Sequence, residues 1–168
     1  PKMSLLAGIP SAIGNQDGQK ENAYYSNISG FAIDANGEVI FADNENNNIR
    51  KIAKNGSIST LAGGGLTQTE LDGLRTGSNY VDGKGSVARF HNPKNLVLDS
   101  IGNIYVNDNI NKIIRKIDIA GNVTTLAGKV GECDLSAIKN PTQFCDVSSM
   151  AIDSAGNIYA AEGNSAIG

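Results

Sequence analysis

The chain has 168 residues, of which 40% are hydrophobic, and its formal net charge is −3. Its length and composition suffice for a sizeable core, while its lysines and arginines are scattered singly, which argues against a nucleic-acid surface. No apolar run approaches the roughly 20 residues of a membrane-spanning helix, and no signal peptide is visible, so neither nucleic acid nor membrane is an expected partner.

The predicted elements, in chain order, are short β-strands grouped into units. Residues 1–8 predict a single outer strand, and residues 29–63 predict four strands in succession. Residues 92–128 predict the same four strands again, and residues 147–168 predict the first half of a third unit. Each run is rich in β-branched residues and is bounded by Gly, Asn or Asp, which favour turns.

Landmark residues recur at fixed offsets in these units, which indicates an internal repeat. Aspartates end the first strand of each unit, at Asp34, Asp99 and Asp153, and we expect each to close an Asx-type turn. The first two units lie 65 positions apart (99 − 34) and the next two lie 54 apart (153 − 99). The difference falls after the Leu-Ala-Gly that ends a unit, so the length variation is confined to one connection.

The segments FAIDANGEVIFADNENNNIRKI and LVLDSIGNIYVNDNINKIIRKI resemble the NHL-repeat β-propeller family, as does the lead-in VDGKGSVARFHNP before the second. The resemblance implies an all-β fold of propeller blades, each a four-stranded antiparallel sheet. It implies about three blades in this chain, whereas family members close with about six. The chain is therefore expected to form a partial or oligomer-completed propeller.

Three blades alone expose two apolar sheet faces and an unpaired strand edge. Three arrangements would cover them, and they stay open at this stage: a longer chain, a closed ring of two copies, or a filament. In the ring and the filament, each copy lends its first strand to another copy, so the expected partner is the chain itself. The predicted exchange strand consists of Met3, Ser4, Leu5, Leu6 and Ala7.

The two cysteines, Cys133 and Cys145, lie in the loop that enters the third unit. A disulfide between them is favoured over two free thiols, because it would restrict a short, irregular loop. A zinc pair is not expected, since no second cysteine pair or histidine cluster completes four ligands.

Three N-x-[ST] sequons stand at Asn27, Asn55 and Asn122. They are glycan acceptors if the protein is secreted by a eukaryote, and otherwise they are turn residues. Both interpretations stay open.

Acidic residues end the second strand of each unit, at Asp43, Asp108 and Glu162. A ring of such acids would bind Ca²⁺ through oxygen ligands, although no metal or other cofactor is expected. A structural role is favoured, in which these acids accept hydrogen bonds from a turn or pair with Arg50 and Arg115. The single histidine, His91, lacks the surroundings of a catalytic residue.

The sequence therefore predicts a non-enzymatic scaffold, extracellular or on the cell surface, that self-assembles by β-strand complementation into a ring or a filament, and glycosylation of its sequons stays open. One alternative is a module that binds a protein or carbohydrate through loops 64–80 and 129–146. Another is a metal-dependent hydrolase of the lactonase type that uses Asp43, Asp108 and Glu162.

Overall fold

The described chain folds into short antiparallel strands, each formed by a run of β-branched residues between turn residues. The computed structural model describes residues 6–7, 13–64, 80–130 and 144–163. Within these ranges no helix is long and apolar enough to cross a membrane. The strands are β1 (Ile28–Ile33), β2 (Val39–Asp43), β3 (Asn48–Ile52), β4 (Ile58–Ala62), β5 (Gly83–Lys84), β6 (Pro93–Leu98), β7 (Ile104–Asp108), β8 (Ile113–Ile117), β9 (Asn122–Gly128), β10 (Val147–Ile152) and β11 (Ile158–Glu162).

The strands form three sheets, which we call blades one, two and three. Blade one has the order β1-β2-β3-β4, blade two the order β5-β9-β8-β7-β6, and blade three contains β10 and β11. Every neighbouring pair is antiparallel. This confirms the predicted all-β fold of propeller-like blades.

Blade two contains the four predicted strands and, in addition, a fifth strand of two residues. The short β5 pairs with the outer strand β9, with Gly83 opposite Val123. In blade one, Gly18 forms a single bridge to Ile58 at the equivalent position. Two residues of glycine and lysine carry no strand signal of their own, so the pairing arises from the lead-in segment lying along the blade edge.

The turn after each first strand is closed by an aspartate, as predicted. In blade one, Oδ1 of Asp34 accepts the backbone N–H groups of Asn36 and Glu38, both at 2.9 Å. Equivalent bonds surround Asp99 and Asp153 in the other blades. The carboxylate thus satisfies backbone donors that the turn leaves without strand partners.

Neighbouring blades approach each other closely along their inner strands, β1 and β6. The Ser29 hydroxyl donates to the backbone carbonyl of Pro93 at 3.0 Å. A Cβ atom on Gly30 would lie only 2.5 Å from the carbonyl oxygen of Lys94. Glycine at this position therefore allows the two strands to lie side by side.

Two sheet faces form the larger hydrophobic core. We call them the far face of blade one, which is turned toward blade two, and the near face of blade two, which is turned back toward blade one. Both are buried because each covers the other. The far face of blade one comprises Ile40, Ala42, Ile49 and Ala62, and the near face of blade two comprises Leu96, Ile104, Val106, Ile117 and Val123.

Blade one also has a near face. Its apolar residues lie 65 positions before the equivalent residues of blade two in the sequence. Part of this face forms a smaller core with two alanines from the segment before β1. Its strand residues are Phe31, Val39, Phe41, Ile52 and Ile58.

Candidate functional site

Each of the first two blades contains a fully buried arginine that holds the lead-in segment against the sheet. In blade two this is Arg115, whose Nη1 donates to the carboxylate of Asp108 at 3.0 Å and to the carbonyl of Arg89 at 2.8 Å. Its Nη2 donates to the carbonyl of Val81 at 2.9 Å and to Asp82 at 2.8 Å. The guanidinium therefore joins β7 to two points on the lead-in segment.

The same arrangement recurs 65 positions earlier, around Arg50. Its Nη1 donates to Asp43 at 3.0 Å and to the carbonyl of Tyr24. Its Nη2 donates to the carbonyl of Gln16 at 2.9 Å and to Asp17 at 2.8 Å. Because all four acceptors repeat, this arginine clamp is part of the blade architecture.

The three acids considered as metal ligands all accept hydrogen bonds, two of them from the buried arginines and one from a backbone N–H. Asp43 and Asp108 pair with the arginines, as predicted, and Glu162 accepts the backbone N–H of Cys145 at 2.6 Å. Among the described residues, no three His, Cys, Asp or Glu side chains lie close enough together to hold a metal ion.

Burial dominates the electrostatics of Asp108. Desolvation raises the pKa of this carboxyl to about 6, although donors from Asn111, the His91 backbone and Arg115 act in the opposite direction. Burial also lowers the pKa of the His91 imidazole, because it disfavours the charged ring.

Asp17 and Asp82 are also part of the arginine clamp, a role that was not predicted from the sequence. Asp82 also accepts the backbone N–H and the hydroxyl of Thr125, both at 3.1 Å, so it links the arginine to β9. Asp17 makes the same contacts with Thr60 in blade one. The signal was available: both aspartates precede a glycine and lie 33 positions before their arginine (50 − 17 and 115 − 82).

The structure describes only one of the two cysteines of the predicted disulfide. Cys145 is disulfide-bonded, whereas Cys133 lies outside the described residues. The pairing of the two therefore stays a prediction.

The three sequon asparagines, Asn27, Asn55 and Asn122, are all exposed. The Oδ1 atom of Asn55 accepts the backbone N–H of Ser57 at 3.0 Å, and Nδ2 of Asn122 donates to Asp118 at 2.8 Å. Two of the side chains thus stabilise turns, and their glycosylation stays a prediction.

The predicted exchange strand is described only at Leu6 and Ala7, since Met3, Ser4 and Leu5 lie outside the described residues. Leu6 is exposed, and Ala7 is buried against the near face of blade one. Ala62 of blade one is buried against the near face of blade two in the equivalent way. Exchange between copies stays a prediction.

A cleft of about 570 Å³ lies between blades one and two, on the side of the turns that follow β1, β6 and β8. Buried apolar side chains from both blades line its interior, and three turn aspartates line it as well. The described lining includes Ile40, Leu61, Leu98, Ile104 and Ile117, the aspartates Asp34, Asp99 and Asp118, and the exposed Ile101 and Ile119. Most of the residues in the binding loops predicted at 64–80 and 129–146 lie outside the described residues.

No protein-family model and no curated protein matches the chain. Solved structures do match, among them a protein of unknown function from Bacteroides thetaiotaomicron (TM-score 0.59, 23% identity), with 76% of this chain and 30% of that chain covered. A putative phosphatase from the same organism matches with TM-score 0.56 and 22% identity, over 77% and 31% of the two chains. An auxiliary nutrient binding protein from Bacteroides ovatus matches with TM-score 0.54 and 17% identity, over 77% and 33%. At these identities the chain shares their fold, and it corresponds to about a third of their length.

Proposed function

We propose that this chain is a non-enzymatic propeller scaffold whose uncovered blade faces are completed by other copies of the same chain. The near face of blade one docks against the last blade of a second copy, and the strand Met3–Ala7 pairs at that junction. A location outside the cell or on its surface, and glycans at the three sequons, belong to the same proposal.

The difference in exposure between the two near faces carries the proposal. On blade two, Leu96 is 6% exposed, because blade one covers it. On blade one, the equivalent Phe31 is 67% exposed and Ile33 is 64% exposed, so the described residues leave this part of the face open. Both lie opposite residues of the same near face on β2, since Phe31 pairs with Phe41 and Ile33 with Val39. Contiguous exposed apolar residues of this kind mark an interaction surface.

The chemistry of the occupant follows from the interface that is already formed. The near face of blade two is covered by a blade of the same repeat, through Ile40, Ala42 and Ile49. The near face of blade one has equivalent apolar positions, and Ala7 already occupies the place that Ala62 takes on blade two. A blade of the same repeat therefore fits this face, and a second copy supplies one.

The test is the mass of the purified chain by analytical ultracentrifugation over a range of concentrations. The expected result is a mass above that of one chain, reduced to a single chain by Phe31→Asp. Ile101→Asp is the matched control, because Ile101 is similarly exposed, at 71%, but lies in a turn of blade two. A monomer at every concentration, or equal loss in both variants, contradicts self-assembly.

A binding role is the second candidate, and the cleft between blades one and two favours it. One solved structure of similar fold is an auxiliary nutrient binding protein. This similarity in fold is compatible with a binding role for the chain. A metal-dependent hydrolase has less support, because Asp43 and Asp108 are paired with buried arginines. Metal analysis of the purified chain tests it: stoichiometric Ca²⁺ or Zn²⁺ would favour the hydrolase.

A further inference from the structure

Asp34, in the first turn of blade one, differs from its equivalents in one hydrogen-bonding respect. In blade two, Oδ2 of Asp99 accepts the Asn103 amide at 2.7 Å and the Tyr105 hydroxyl at 3.0 Å. In blade three, Oδ2 of Asp153 accepts the equivalent two donors. In each of these blades the second carboxylate oxygen is thus occupied by side chains of its own sheet.

Blade one has neither donor. Glu38 stands where blade two has Asn103, and Ile40 stands where it has Tyr105. The Glu38 carboxylate instead accepts the Lys51 ammonium at 2.7 Å. Oδ1 of Asp34 still closes the turn, while Oδ2 receives no hydrogen bond from the described residues. Of the three turn aspartates that the structure describes at this position, Asp34 alone thus has a carboxylate oxygen that accepts no hydrogen bond from the described residues.

This free oxygen belongs to a residue that lines the cleft between blades one and two. Among the described residues, the lining also includes two further carboxylates, Asp99 and Asp118, and one cation, Lys51, which is already paired with Glu38. The charges of these described lining residues are therefore negative in sum. Its interior is formed by the buried Ile40, Ile104 and Ile117.

We propose that this cleft binds a small organic ammonium ion, with the cationic group on Asp34 and an apolar body against the isoleucines. A volume of about 570 Å³ lies within the range of about 300–1,000 Å³ for small-molecule sites, which combine apolar walls with few polar groups. A carboxylate oxygen without another donor forms a charge-assisted bond to an ammonium group, and such bonds are stronger than neutral ones. Ile33 at the edge of the near face of blade one also lines the cleft, but the proposed binding does not depend on self-assembly.

Phenethylammonium is the probe, titrated into the full chain by calorimetry and by NMR. We expect saturable binding, with at least about tenfold weaker binding of the neutral 2-phenylethanol, since the charged hydrogen bond is lost. Asp34→Asn is expected to weaken binding of the ammonium about tenfold, because the amide oxygen still closes the turn but carries no charge. Asp153→Asn is the matched control, an equivalent turn outside the cleft, and should leave affinity unchanged.

A second variant, Ile119→Arg, places a cation at an exposed position of the cleft and should also weaken binding. Because Ile119 is 76% exposed, this substitution leaves the core intact. The proposal is overturned if the ammonium does not bind, if the alcohol binds equally well, or if Asp34→Asn has no larger effect than Asp153→Asn. Binding that survives Ile119→Arg unchanged would place the ligand elsewhere and would contradict it too.

Discussion

The near faces of blades one and two are built from the same repeat but have different surroundings. Leu96 on blade two is buried by blade one, whereas the equivalent Phe31 on blade one is mostly exposed. Both blades contain the same hydrogen bonds between a buried arginine and two aspartates, one of which lies in the segment before the blade. A blade thus forms its internal clamp by itself, while burial of its inner-strand residues requires a neighbouring blade.

Removal of the clamp should have the largest effect, and a similar one in both blades. Arg115→Ala leaves Asp108 buried without its ion-pair partner, which is expected to lower the free energy of unfolding by about 3–5 kcal/mol. Arg50→Ala should cost about as much, because Asp43 loses the same bond. Urea denaturation measures both, with Lys116→Ala, on the same strand but partly exposed, as the control. A much smaller cost for Arg50 would show that the two clamps are not equivalent.

Replacing an apolar side chain by alanine should cost more unfolding free energy on the near face of blade two than on that of blade one. Leu96→Ala removes a buried side chain and should cost about 2–5 kcal/mol in unfolding free energy. Phe31→Ala removes an exposed one and should cost no more than about 0.5 kcal/mol at concentrations where the chain is monomeric. At higher concentrations the cost at Phe31 should increase if a second copy covers it. Equal costs in the monomer would mean that the near face of blade one is already covered.

The strands, the turns and the arginine pairs of the two blades could be predicted from the sequence. The alternation of β-branched runs with Gly, Asn and Asp defined the strands, and the repeat positions indicated the Asx turns and the pairing of Asp43 and Asp108 with arginines. These features depend on local chemistry and on the period of the repeat, so they can be predicted without knowledge of the tertiary structure.

Other features depend on contacts that a linear pattern does not contain. The two-residue strand β5 forms only because the lead-in segment lies along β9. The exposure of Phe31 depends on what lies beside blade one, and the cleft depends on how turns of two blades are spaced. The loss of donors at Glu38 and Ile40 was visible in the sequence, but its meaning required the geometry around Asp99.

The pH dependence of stability should show how deeply the blade-two clamp is buried. Because burial raises the pKa of Asp108 from 3.8 to about 6, the folded state retains this proton where the unfolded state has lost it. Its contribution to stability is therefore fully present below about pH 3.8 and is lost as the pH rises through about 6, by about 3 kcal/mol in total. The carboxyl ¹³C shift of Asp108 should titrate with a midpoint near pH 6. A midpoint below pH 4 would mean that Arg115 outweighs desolvation.

Tyr105→Phe should have the smallest effect, and it tests the contrast between Asp99 and Asp34. The change removes the hydroxyl that donates to Oδ2 of Asp99 but keeps the ring near Lys116, so unfolding free energy should fall by only about 1 kcal/mol. Burial opposes ionisation of Asp99, while hydrogen bonds from Asn103 and Tyr105 lower its pKa. The variant should therefore raise this pKa, and the stability that Asp99 provides above pH 3.8 should be lost at a higher pH during acidification. Tyr159→Phe is the matched change at Asp153, where the same hydroxyl donates to Oδ2. An unchanged pKa of Asp99 would mean that the tyrosine does not occupy Oδ2, and the distinction between the free oxygen in blade one and the occupied ones in blades two and three would fail.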